Sequence, residues 1–92
     1  MVNNPNENQE QSAINIAKNY LINLPSKQQF EEIMKQVRLT PLEHDIIIWR
    51  YKDFKSVINI SIDAAVSTAT IYHKQRSALD KIYRFLVYKK YI

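Results

Sequence analysis

The stretch SVINISIDAAVSTATIYHKQRSAL, residues 56–79, decides the fold. It opens on Ser56, and a second serine, Ser67, stands where a new helical pattern starts. Serine is a strong N-cap because its hydroxyl accepts a hydrogen bond from an N–H of the first turn, which has no partner inside the helix. Val57, Ile60 and Ala64 lie on one face of a short helix behind Ser56. Ala65-Val66 leaves room only for a tight connection before Ser67. The helix behind Ser67 is predicted to be long, from Thr68 to about Lys89. Ile71, Ala78, Ile82 and Phe85 form its seam, widened by Leu79 and Leu86.

Upstream, Thr40-Pro41-Leu42-Glu43 is another start signal: a capping threonine, proline at the first helical position and glutamate three residues after the cap. The helix it opens continues through Ile46, Ile47, Trp49 and Arg50-Tyr51 to about Lys52. Three consecutive isoleucines could also form a buried strand, but the cap, the proline and the lack of turn residues decide for helix. Ser26 with Gln29 three places on has the spacing of a capping box, and Phe30, Ile33, Met34 and Val37 follow at i, i+3, i+4 and i+7, ending near Arg38. A first helix is predicted from about Gln11 to Leu24, with Ala13, Ala17, Tyr20 and Leu24 as its stripe and Ile14 and Leu21 at the edges. Pro25 stops it, because a proline pushes the preceding residue out of the α region. Residues 1–9, rich in asparagine, are expected to be disordered.

The expected architecture is all-α: a compact bundle of about five helices. Residues 10–38 form a two-helix packing or dimerisation element, and residues 39–92 a helix-turn-helix region with a long last helix. The complete absence of glycine agrees with this, since tight hairpins need residues comfortable at positive φ. It also removes glycine-rich phosphate loops. Without cysteine there is no disulfide, thiolate metal site or cysteine nucleophile. The two histidines, His44 and His73, are isolated, and adjacent acids such as Glu31 and Glu32 splay apart on a helix. No catalytic residue, metal site or cofactor is expected, and the chain does not read as an enzyme. The polar N-terminus lacks the order of a signal peptide and no apolar run is long enough to span a bilayer, so a cytoplasmic, non-membrane protein is expected.

Charge then points to a partner. Residues 1–45 carry six acidic and four basic side chains, residues 46–92 three acidic and nine basic, within a net +4. The second half is therefore suited to a polyanion. A short capped helix, a tight connection and a second capped helix is the helix-turn-helix pattern, whose second helix enters the DNA major groove with its N-terminal turns. With Ile71, Ala78 and Ile82 inward, Thr68, Ala69, Tyr72, His73 and Arg76 face outward. Arg76 can donate two hydrogen bonds to guanine, His73 can meet a base edge, and the methyls of Thr68 and Ala69 can touch thymine. Tyr72 can reach a phosphate or sugar, and Ser67 leaves helix-end N–H groups for a phosphate. Lys74, Lys81, Arg84, Lys89 and Lys90 are the candidate phosphate contacts. Tyr83, Tyr88 and Tyr91 read better as core or a dimer seam.

Residues 39–82 resemble region 4 of bacterial sigma factors, laid without a gap. Leu39, Pro41 and Glu43 match its opening pattern, Arg50-Tyr51 the pair that ends its next helix, and Ser56, Ile60, Ser67, Thr70, Ile71, Ala78 and Leu79 its helix-turn-helix. Residues 67–82 look closer still to phage late transcription regulators of the ArpU/RinA type. The resemblance implies a regulator of phage or mobile-element origin that acts at promoter DNA. It places the groove-facing positions on Thr68, Ala69, Tyr72, His73, Arg76 and Ser77. Ala65 stands where those families usually have glycine in the turn, and Phe54-Lys55 replaces their usual Gly-Leu loop. Double-stranded DNA is the expected partner, with RNA polymerase and a second copy of this chain as further candidates. The competing expectation is a helical protein-interaction module that binds RNA polymerase or another regulator through Phe30, Ile33, Met34 and Val37 without specific DNA binding.

Overall fold

Four hydroxyls punctuate the chain, each accepting from the backbone N–H three residues ahead. Ser26 accepts from Gln29 at 3.2 Å, Thr40 from Glu43 at 3.3 Å, Ser56 from Asn59 at 3.1 Å and Ser67 from Thr70 at 3.1 Å. In the computed structural model, which describes the backbone of residues 5–92 and the side chains of residues 11–92, a helix follows each of them. The elements are α1 (Pro5–Ile22), α2 (Lys27–Gln36), α3 (Pro41–Ile47), α4 (Val57–Ala64) and α5 (Thr68–Tyr88). The described residues form an all-helical bundle, in agreement with the fold class read from the sequence.

The differences in detail have local causes. Helix α1 begins at Pro5 rather than near Gln11, so residues 5–9, expected to be disordered, are helical, while residues 1–4 lie outside the described part. Proline suits a first helical position, where the missing N–H costs nothing. The buried stripe of α1 is Ile14, Ala17 and Leu21, while Ala13, Tyr20 and Leu24 are only half-buried. Helix α3 does not continue as an α-helix to Lys52; residues Ile48–Lys52 form a wider π turn. That turn ends with the Asp53 N–H donating to the Ile48 carbonyl at 3.0 Å and the Lys55 N–H to the Trp49 carbonyl at 2.8 Å. Between them Phe54 takes a left-handed conformation, φ 57°.

Two apolar clusters hold the bundle. The larger joins α1 (Ile14, Ala17, Leu21), α2 (Phe30, Ile33, Met34) with Val37 at its end, Ile47, Tyr51 and the later turns of α5 (Ala78, Leu79, Ile82, Leu86). The smaller packs Ile46, Val57, Ile60 and Ile71 together, with Leu42, Trp49 and Val66 half-buried around them. Burial of one such side chain stabilises by roughly 1.5–3 kcal/mol. The run Ile46-Ile47-Ile48 is thereby explained: Ile46 serves the small cluster, while Ile47 and Ile48 serve the large one. A helix wedged between two cores needs apolar residues at adjacent positions, which alone would look like a strand. Helix α5 is the common element, packed against α1, α3 and α4.

Candidate nucleic-acid interface

The small cluster fixes how α4 meets α5. Helix α4 ends at Ala64, and Ala65 turns the chain with φ 55° and ψ 42°, the left-handed region. A residue with a Cβ pays roughly 1–2 kcal/mol there. Ser61 offsets that strain. Its carbonyl accepts from the Ala65 N–H and from the Val66 N–H at 3.2 Å, and its hydroxyl donates to the Val66 carbonyl at 2.5 Å. Ser67 then caps α5, and its hydroxyl also lies 2.9 Å from that of Thr70.

Thr68, Ala69, Tyr72, His73 and Arg76 are all exposed, and their spacing sets them on one face of the first turns of α5. Tyr72 keeps 56% of its surface in water. Ser67 sits exposed at the helix start. Lys74 is exposed too, but its position in the turn sets it off this face. On one flank a shallow groove of about 310 Å³ separates the face from α1, with Gln11 and Ile14 on one wall and Tyr72, His73 and Arg76 on the other.

Two residues expected at the DNA face also make contacts within the fold. The Ser77 hydroxyl donates to Glu43 Oε2 at 2.6 Å, and the Lys81 ammonium to Glu43 Oε1 at 2.7 Å. Glu43 is 2% exposed, the one charged residue among the buried ones described. Its Oε1 also accepts from the Thr40 N–H at 2.9 Å, which completes the capping box. A buried carboxylate must be hydrogen-bonded and neutralised, and Ser77 and Lys81 do that across two helices. Burial pushes the Glu43 carboxyl up, but the bonds from Lys81, Ser77 and Thr40 outweigh it and hold it at about 2. Lys81 and Ser77 therefore clamp α5 onto α3, although Ser77 is exposed and the Lys81 side chain keeps 40% of its surface in water. Of the other basic residues here, Arg84 reaches Asp80 at 3.2 Å, and Lys89, just beyond the end of α5, lies over the Phe85 ring at 6.0 Å.

A second clamp went unread in the sequence. Arg50 Nε donates to Gln75 Oε1 at 2.9 Å and Arg50 Nη1 to the Lys55 carbonyl at 3.0 Å. It ties the π turn and the loop before α4 to the side of α5. The arginine was visible only as half of the Arg50-Tyr51 pair.

Phe30, Ile33, Met34 and Val37, expected as a partner surface, are buried in the larger cluster. The apolar face of α2 is covered by the chain's own helices, so it offers no free surface in this fold. Of the three later tyrosines, Tyr83 packs against the large cluster, Tyr91 meets the Phe85 ring edge-on at 6.2 Å between centroids, and Tyr88 is exposed.

No group of three or more metal-ligating side chains occurs among the described residues, and none of the described helices is long and apolar enough to cross a membrane. Compared with family models, with curated proteins and with solved structures, the chain matches none.

Proposed function

We propose that this chain is a DNA-binding regulator of transcription of the helix-turn-helix class, similar to sigma region 4 and to the phage regulators it resembles. Helix α4, the left-handed connection and α5 are the helix-turn-helix, and α5 presents its first turns to the major groove of promoter DNA. The observation that carries this is the exposed face of Thr68, Ala69, Tyr72, His73 and Arg76 directly behind the capped start of α5. Both chemistries needed for base readout stand on it, hydrogen-bonding groups and small apolar ones. A further observation supports the likeness. Phe54 and Ala65 occupy positions where the families carry glycine, and both have positive φ, 57° and 55°. The backbone bends there as glycine would allow, although neither residue is glycine.

The site is read most directly by selecting bound duplexes from a random DNA pool and measuring their affinity at several salt concentrations. One sequence family should emerge, with affinity falling steeply as salt rises. Arg76→Ala should cost roughly 1–3 kcal/mol and relax the preference at one position. A flat salt dependence, or an affinity untouched by replacing Tyr72, His73 and Arg76 together, would refute the proposal. Phe30, Ile33, Met34 and Val37, to which the interaction-module reading is assigned, are core residues, so such a module needs another surface. RNA polymerase and a second copy remain candidate partners through other surfaces.

A further inference from the structure

Two open grooves of about 540 and 620 Å³ adjoin where α1 ends, α2 passes and the chain turns back beyond α5, and Tyr20, Leu24 and Gln29 line both. Ile16, Tyr91 and Ile92 are the exposed apolar residues of their walls, at 43%, 49% and 48%. Tyr91 is held in place by the way α5 closes. Lys90 takes a left-handed conformation, φ 60°, its N–H donates to the Val87 carbonyl at 3.0 Å, and the Tyr91 N–H donates to the Leu86 carbonyl at 2.9 Å. The Tyr91 ring then rests edge-on against Phe85. An aromatic wall fixed in this way has little freedom left to lose when a partner covers it.

Charge narrows what that partner can be. In a chain of which 24% is charged, one of the fourteen residues lining the grooves is, Glu32, and Lys35 pairs with it at 3.6 Å. The rest of the polar lining is mostly amide: Asn19, Asn23, Gln28, Gln29 and Gln36. Of these side chains only Gln36 has a hydrogen-bond partner among the described residues, the Glu32 carbonyl at 3.2 Å. An apolar, tyrosine-bearing centre with a polar, uncharged rim is the make-up of a protein interface. A two-fold interface must also be complementary to itself. A rim of one charge would meet like charge across the axis, whereas an amide carries both donors and an acceptor and can pair with its own kind. Fourteen lining residues, with the side chains bordering them, approach the roughly 20–30 a side of a stable interface. We propose that this face joins two copies of the chain about a two-fold axis. None of Thr68, Ala69, Tyr72, His73 and Arg76 lines it, so the pairing uses no part of the proposed DNA face and does not depend on that reading.

Sedimentation equilibrium of the chain over a wide range of concentration tests this, and a reversible monomer–dimer equilibrium is expected. Ile16→Glu sets a carboxylate into each copy's apolar wall, and Asn19→Asp sets one into its amide rim. Both residues are exposed, and helical circular dichroism reports whether each variant is folded. Each should weaken the dimer about tenfold or more. Ile62→Glu, on the outer face of α4 and 71% exposed, should leave it unchanged. A chain that stays monomeric at every concentration or forms open-ended assemblies, a dimer that Ile16→Glu and Asn19→Asp leave intact, or one that Ile62→Glu breaks would overturn the proposal.

Discussion

Replacing Glu43 by glutamine removes one negative charge from a site with three donors around it. The Lys81 ammonium, the Ser77 hydroxyl and the Thr40 N–H all point at the carboxylate. In the variant the amide nitrogen cannot accept, so at least one donor loses its partner. The size of the effect follows from linkage. A carboxyl that titrates at about 2 in the fold and at 4.5 when unfolded stabilises the neutral-pH protein by roughly 3 kcal/mol. For a chain this long, that is a large share of a total of roughly 5–14 kcal/mol. Its folded value lies below its unfolded one, so the contribution is complete above about pH 4.5. It is lost as pH falls through 4.5 towards 2. Urea unfolding followed by helical circular dichroism, at pH 7 and again near pH 2, isolates this term, since other carboxylates cancel between the two proteins. Glu43→Gln should be less stable by about 2–3 kcal/mol at pH 7, with a melting point lower by roughly 10 °C or more. The gap should shrink towards zero near pH 2. A gap of the same size at both pH values would refute the reasoning, because it would show that packing, not charge, holds Glu43.

Other substitutions probe the same framework. Ala65→Gly relieves the left-handed position but adds freedom to the unfolded chain, so a net gain of about 0.5–1 kcal/mol is expected in the urea midpoint. Tyr51→Phe removes the unpaired buried hydroxyl and should raise stability by up to about 1 kcal/mol, seen as a higher melting temperature. Lys81→Ala should lower stability by about 1–2 kcal/mol, discounted because the lysine is 40% exposed, and leave the salt dependence of DNA binding as it was.

The local part of this fold was legible and the long-range part was not. Ser26, Thr40, Ser56 and Ser67 announce their helices within four residues and each accepts from the N–H three places on, but only Thr40–Glu43 closes the reciprocal capping box, which the Ser26–Gln29 spacing also suggests. The role of Glu43 in the capping box could be read in the same way. Its other role could not, because Ser77 and Lys81 lie 34 and 38 residues away in sequence. Ser77 reads as groove-facing from the family resemblance and Lys81 as a phosphate contact from its charge, and neither route shows a contact to α3. Phe30, Ile33, Met34 and Val37 showed a clean apolar face, but periodicity says that a face is covered and not by what. The π turn escaped for a related reason. A single extra residue per turn barely alters the spacing of Ile46, Ile47 and Tyr51, and only the hydrogen bonds from Asp53 and Lys55 reveal it. The outward placement of Thr68, Ala69, Tyr72, His73 and Arg76 follows from the seam through Ile71, Ala78 and Ile82, which the structure reproduces as fully buried.

The two clamps on α5 have an evolutionary consequence. Arg50 on Gln75 and Glu43 on Ser77 and Lys81 hold the rotation of the helix from its sides, while the two apolar clusters hold its inner seam. None of Thr68, Ala69, Tyr72 and His73 belongs to either cluster. Mutation can therefore explore these positions with little loss of foldedness, so what α5 presents to a partner can diverge between lineages while the scaffold beneath it stays unchanged.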